Sequence, residues 1–126
     1  YIPAAYVKPS VKLEIGAKSD QWPCQRKSVT SYAAQEFSQV FKAPNCDVVA
    51  LSAERTFWEK ATLLHCEHHR AADSRTPERL SRHYYDLHRL ATTPSIVESA
   101  LKQINLLDDV SHHKTVFFKS AWAKYD

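Results

Sequence analysis

The chain has one glycine, Gly16, and no methionine in 126 residues. Loops that cradle phosphate with backbone N–H groups need glycine, because a Cβ keeps the main chain from approaching the ligand. A glycine-rich phosphate cradle is therefore excluded, and any nucleotide site must be built from side chains. No apolar run nears the roughly 20 residues that cross a bilayer, and no signal-like segment opens the chain. The cysteines, Cys24, Cys46 and Cys66, are odd in number and share no spacing. That pattern argues against a disulfide framework and for a reducing compartment, so the expected location is cytoplasmic, with no membrane partner. The opening Tyr1-Ile2-Pro3-Ala4, with no methionine, reads as part of a longer protein.

What is present suits a folded domain. Apolar residues make up 44% and charged residues 25%, enough for one real core and too little chain for two ordinary domains. The net charge of +3 is mild, yet positive residues crowd together: His68-His69-Arg70, Arg75, Arg79, Arg82-His83 and Arg89. Such a cluster fits a polyanion partner or a solvated basic loop.

Residues 11–17 alternate apolar and polar, which predicts a strand with Val11, Leu13 and Ile15 on one face and Lys12 and Glu14 on the other. Residues 29–41 mix strand and helix signals and predict a hairpin or short-helix connection. The β-branched run Cys46 to Leu51 predicts another strand. Ser52 is placed to cap a helix with Glu54 in its first turn, running from Ala53 to about His69. Phe57, Ala61, Leu64 and His68 form its apolar stripe, Trp58 and Leu63 widen it, and the Lys60 stem lies alongside. After a joint at 71–75, Thr76-Pro77-Glu78 predicts a helix start. That helix extends to about Ala91 with Leu80, Tyr84, Leu87 and Leu90 inward. Arg82, Asp86 and Arg89 share another face, where a surface ion pair would suffice to explain Asp86. A third helix is expected from Ser95 to Leu106 and a last one from about Asp109 to Tyr125. The fold expected is α+β and mainly α, a bundle of about four helices docked on a small β-element. It makes a single domain or fragment, with 1–51 in the sheet region and 52–126 helical.

Two chemistries suggest themselves and are weak. His65, Cys66, His68 and His69, with His83 and His88, invite a zinc reading, but neither Cys-x-x-Cys nor His-Glu-x-x-His spacing is present. Polar histidines at helix ends are the commoner meaning. A Cys66 nucleophile beside a histidine has no more than adjacency to support it.

Four stretches say more: Val11 to Ala17, Arg55-Thr56-Phe57-Trp58-Glu59-Lys60, Arg82-His83-Tyr84-Tyr85-Asp86-Leu87, and His113 to Phe118 followed by Trp122 and Tyr125. Together, and in this order, they resemble the AbiEii-type nucleotidyltransferase toxins of abortive-infection and type IV toxin–antitoxin systems. The resemblance implies the C-terminal part of a DNA polymerase beta-like nucleotidyltransferase fold, with the paired acids of the first motif expected upstream of Tyr1. It implies Lys60 at the nucleotide's phosphates, Asp86 as the catalytic acid of the last motif, and Glu14 as a catalytic, metal-facing carboxylate. Arg55 and Arg82 follow as contacts to phosphate or the acceptor strand. It further implies transfer of a nucleoside monophosphate from an NTP to an acceptor hydroxyl, with tRNA as acceptor, Mg2+ held mainly by residues outside this chain, and a cognate antitoxin. This stretch by itself is then expected to be inactive. The alternative is a non-catalytic helical module that binds RNA or an antitoxin through the basic joint.

Overall fold

The structure is a computed structural model of the chain, and it describes residues 10, 13, 15–18 and 20–125. Two strands come first, β1 (Cys24–Thr30) and β2 (Asn45–Leu51), paired antiparallel with Cys24 opposite Leu51 and Thr30 opposite Asn45. A short helix, α1 (Tyr32–Glu36), and a 3-10 turn at Ser38–Val40 connect them, the mixed connection expected there. The Thr30 hydroxyl donates to Asn45 Oδ1 at 2.7 Å at the end of the ladder where this connection leaves and rejoins it. Four longer helices follow: α2 (Ala53–His68), α3 (Ser81–Ala91), α4 (Pro94–Lys102) and α5 (Asn105–Phe117). Among the described residues the chain is thus mainly helical with one small sheet, and no helix is long and apolar enough to cross a membrane.

Helix α2 organises the rest. Ser52 caps it as its spacing predicts, the Oγ accepting from the Arg55 N–H at 3.1 Å. Its neighbours are α3, α4 and α5. The buried centre is Trp58 of α2 against Ala100 of α4 and Leu106 and Val110 of α5, with Phe57, Ala61 and Leu107 packed around it. Trp58 also answers a polar demand, because its Nε1–H donates to the Ala100 carbonyl at 3.2 Å. That carbonyl lies in the last turn of α4, where it also accepts from the Gln103 N–H at 3.1 Å.

The structure departs from the sequence-based expectations at five places. The expected strand at 11–17 falls partly outside the described residues, since Val11, Lys12 and Glu14 are not among them. Leu13 and Ile15 are described, carry no strand, and Ile15 is 99% exposed. The partner of β2 is instead Cys24–Thr30, whose Gln-Arg-Lys run hides the period expected of a half-buried strand because both faces of this hairpin are largely exposed. Helix α3 begins at Ser81 rather than near Thr76, for Arg79 has φ of 63° and a residue in the left-handed region cannot propagate a right-handed helix. Tyr84, expected inward, is 56% exposed. Finally, the third and fourth expected helices divide at Gln103–Ile104 rather than near Leu106, and the last helix ends at Phe117. The earlier break brings Ala100 and Leu106 onto the same side of Trp58, so packing sets it without any glycine or proline to mark it.

Replacing Trp58 with Phe retains an aromatic ring but removes the indole donor to the Ala100 carbonyl, which keeps the bond from the Gln103 N–H. The expected loss from that bond is about 0.5–1.5 kcal/mol of unfolding free energy, measured by urea titration, with no change in far-ultraviolet circular dichroism.

Candidate active site

Lys60 lies midway along α2 and Asp86 midway along α3, and the packing of these helices brings them together. Lys60 Nζ is 2.8 Å from Asp86 Oδ2 and 3.0 Å from His83 Nδ1. His83 and Asp86 are three residues apart on α3, so both point to the same side. The ammonium has only donors, and Nδ1 of a neutral His83 must therefore accept from it while Nε2 carries the ring proton. Arg82 Nε is 3.4 Å from that Nε2 and adds positive field rather than a hydrogen bond.

The electrostatics follow from this arrangement. The hydrogen bond from Lys60 holds the Asp86 carboxyl below its ordinary range, and Lys60, His83 and Arg82 add charge in the same direction. Burial lowers the pKa of His83, as do the neighbouring Lys60 and Arg82. Near neutral pH the group is a carboxylate and a neutral imidazole sharing one ammonium.

A cavity of about 450 Å³ opens beside Lys60, between α2, α5 and the chain that returns after α5. Lys114 of α5 stands in its wall and donates to the Glu59 carbonyl at 2.7 Å. Burial brings its pKa down to about 8, with Lys60 contributing repulsion and Glu59 opposing it. Residues beyond Phe117 form the other wall, which includes Ser120, Trp122 and Tyr125. This tail is held to α2 by the Arg70 guanidinium, stacked 4.6 Å from the Trp122 ring centre, and by a contact between His65 Nε2 and the Lys124 carbonyl. Arg70 is oriented in turn by both Glu67 oxygens, at 2.6 and 2.7 Å. The Ser120 hydroxyl and Trp122 Nε1 are buried and find no hydrogen-bond partner among the described residues. The cavity is lined by Lys18, Lys60, Arg70 and Lys114 against Asp20, Glu59 and Glu67, a small excess of positive charge that, with two unanswered polar groups on the tail side, suits an anionic ligand carrying further acceptors.

The structure thus brings together Lys60, Asp86 and, at the exposed edge, Arg82. Arg55 is elsewhere engaged. It is 1% exposed, paired with Asp20 and Glu59 at 3.0 Å each and donating to the Trp22 carbonyl. Its Nη2 has no partner among the described residues, beside a second cavity of about 330 Å³ that shares Asp20 and His113 with the first. The guanidinium ties the segment before β1 to α2. Glu14 lies outside the described residues. Sequence reasoning assigned no role to Lys114, because a lysine near the end of a helix ordinarily answers the dipole. The signal for it was available only as part of the resemblance of the His113 to Phe118 stretch. Among the described residues no group of three or more His, Cys, Asp or Glu side chains is placed to hold a metal ion. The described residues therefore do not form the zinc cluster suggested by His65 to His69, and they do not by themselves supply a full ligand set for magnesium.

Comparison with known proteins adds one finding. The profile of a family described as "Nucleotidyl transferase AbiEii toxin, Type IV TA system" matches residues 1–121. No curated protein and no solved structure matches the chain.

The pKa of Lys114 has a consequence for stability. An amine that titrates at about 8 when folded and near 10.4 when unfolded binds fewer protons in the folded state between those values, so stability rises with pH across that window. Tyr125, pushed up to about 12, works in the opposite direction above about pH 10. From pH 8 to 10 the protein should gain about 2 kcal/mol relative to a Lys114→Met variant, measured as the difference between their urea unfolding curves.

Proposed function

This chain belongs to the AbiEii nucleotidyl transferase toxin family of type IV toxin–antitoxin systems, and on that premise we propose that it forms part of an enzyme transferring a nucleoside monophosphate from an NTP to a hydroxyl of tRNA. The observation that carries the proposal is the meeting of Lys60 and Asp86 across two helices, with Lys60 in the wall of a cavity that also holds Lys114. Transfer of a phosphoryl group needs positive charge on the phosphates and a correctly placed attacking hydroxyl. Lys60 and Lys114 supply the charge, with the triphosphate in the cavity. In the absence of nucleotide Asp86 holds Lys60 in place. When the phosphates take over the ammonium, Asp86 loses the hydrogen bond that held its pKa down and is left as a free carboxylate, a stronger base, to accept from the attacking hydroxyl.

His83 assists by remaining neutral. A protonated ring there would repel Lys60, so the depressed pKa of His83 preserves the arrangement near neutral pH. Divalent metal ions at such sites neutralise the charge that develops on the phosphates. Their carboxylates would lie outside the described residues, Glu14 among them. Family membership supports a cognate antitoxin as partner.

The test is incorporation of labelled NTP into tRNA by the complete enzyme that contains this chain and by its variants. Lys60→Ala and Asp86→Ala should each lower incorporation by about a hundredfold or more, the scale on which one transition-state electrostatic contact acts, and Lys114→Met should lower it with a larger effect on KM. Undiminished incorporation by Lys60→Ala and Asp86→Ala would remove these residues from the reaction.

A further inference from the structure

The exposed side of α3 differs from its buried side in a systematic way. Leu87, Leu90, His83 and Asp86 turn toward the protein, whereas Arg82, Tyr84, Tyr85, His88 and Arg89 are exposed. Tyr84 is 56% and Tyr85 64% exposed, large aromatic surface to leave in water. Helical spacing places Tyr84 beside His88, and Tyr85 between Arg82 and Arg89. No carboxylate falls within this arc, because the one acid of the helix, Asp86, is turned to Lys60. The arginine edge of the arc adjoins Asp86, so a strand lying on it would lead to the Lys60–Asp86 pair.

We propose that the outer face of α3 is a docking platform for unpaired RNA, on which bases stack against Tyr84 and Tyr85 while Arg82 and Arg89 meet the flanking phosphates. Aromatic rings interleaved with cations are what single-stranded nucleic acid requires: every base has a face to stack, and every phosphate a charge to neutralise. A duplex offers phosphates but keeps its bases stacked inside, so it can use the arginines and not the tyrosines. The charge of the arc favours a polyanion over an apolar protein surface. This inference rests on the proposed nucleotidyl transfer to RNA, and specifies that the acceptor is held at an unpaired segment.

The experiment is fluorescence anisotropy of a short labelled single-stranded RNA, and of a blunt duplex of equal length, against the whole chain over a series of salt concentrations with no NTP present. Tyr84→Leu with Tyr85→Leu should weaken single-strand binding by about tenfold or more and leave duplex binding unchanged, while Tyr84→Phe with Tyr85→Phe retains both. Arg82→Gln with Arg89→Gln should reduce the salt slope by about 0.7 for each phosphate that is no longer neutralised. This second pair keeps the test decisive if the leucine variant melts early. Single-strand binding that survives the leucine substitutions, or that equals duplex binding throughout, overturns the platform. So does a cognate protein partner whose salt-insensitive binding is abolished by the same leucine substitutions. Lys60→Ala separates the two levels: it should abolish nucleotidyl transfer and leave RNA binding intact. If RNA binds through the tyrosines and no transfer is found in the complete, unsubstituted enzyme that contains this chain, the platform stands and the reaction assigned to it falls.

Discussion

Helix α2 is covered by α3, α4 and α5, and this coverage dictates how its charges are handled. A surface helix can leave lysine and arginine to water, but α2 has little surface to spare. Its charged residues must be answered by neighbouring elements, since an unpaired buried charge costs more than a fold of this size can absorb. Arg55 takes Asp20 and Glu59, Lys60 takes Asp86 and His83, and Glu67 takes Arg70. Each of these pairings either joins α2 to another part of the chain or orients a side chain that does. Among these the Lys60 pairing is the one that joins α2 to another helix; its two charged side chains are 22% and 42% exposed, and Lys60 stands in the wall of a cavity.

From that difference a division follows. Trp58 and its apolar neighbours fix the angles between helices, and Arg55 fastens the segment before β1 to the start of α2. Lys60, Lys114 and the tail residues Ser120, Trp122 and Tyr125 then face a space that the core did not fill, with Asp86 paired to Lys60. Lys114 is held there by a carbonyl rather than by a carboxylate, and burial lowers its pKa. An anion entering the cavity would restore the charge balance, so the same feature that weakens the free protein favours a phosphate-bearing ligand.

Local chemistry made some of this legible and tertiary context hid the rest. Ser52 and Glu54 announce the start of α2 because a cap is a matter of neighbouring residues, and the β-branched run of β2 is likewise local. The start of α3 was misleading for the same reason: Thr76-Pro77-Glu78 has the right composition, yet the backbone at Arg79 turns the chain away. Tyr84 falls on a helical stripe with Leu80 and Leu87, and the pattern cannot tell that α2 covers only part of it. Lys60 and Asp86 were identifiable as unusual charges, and their roles came from resemblance. Their meeting could not be read from spacing, because it depends on how α2 and α3 pack. Lys114 and the unpartnered groups of Ser120 and Trp122 were invisible for want of any local pattern.

The central claim is that Lys60 and Asp86 are held together for a reaction and contribute little to the fold as a pair. A double-mutant cycle with Lys60→Met and Asp86→Asn, read on both unfolding free energy and nucleotidyl transfer, measures the two directly. The expected result is that the double variant transfers no worse than the poorer single variant, whereas the stability changes are small and additive, as for a solvent-accessible ion pair. Strong coupling in stability, with transfer retained in every variant, would make the pair a structural clamp and contradict the claim.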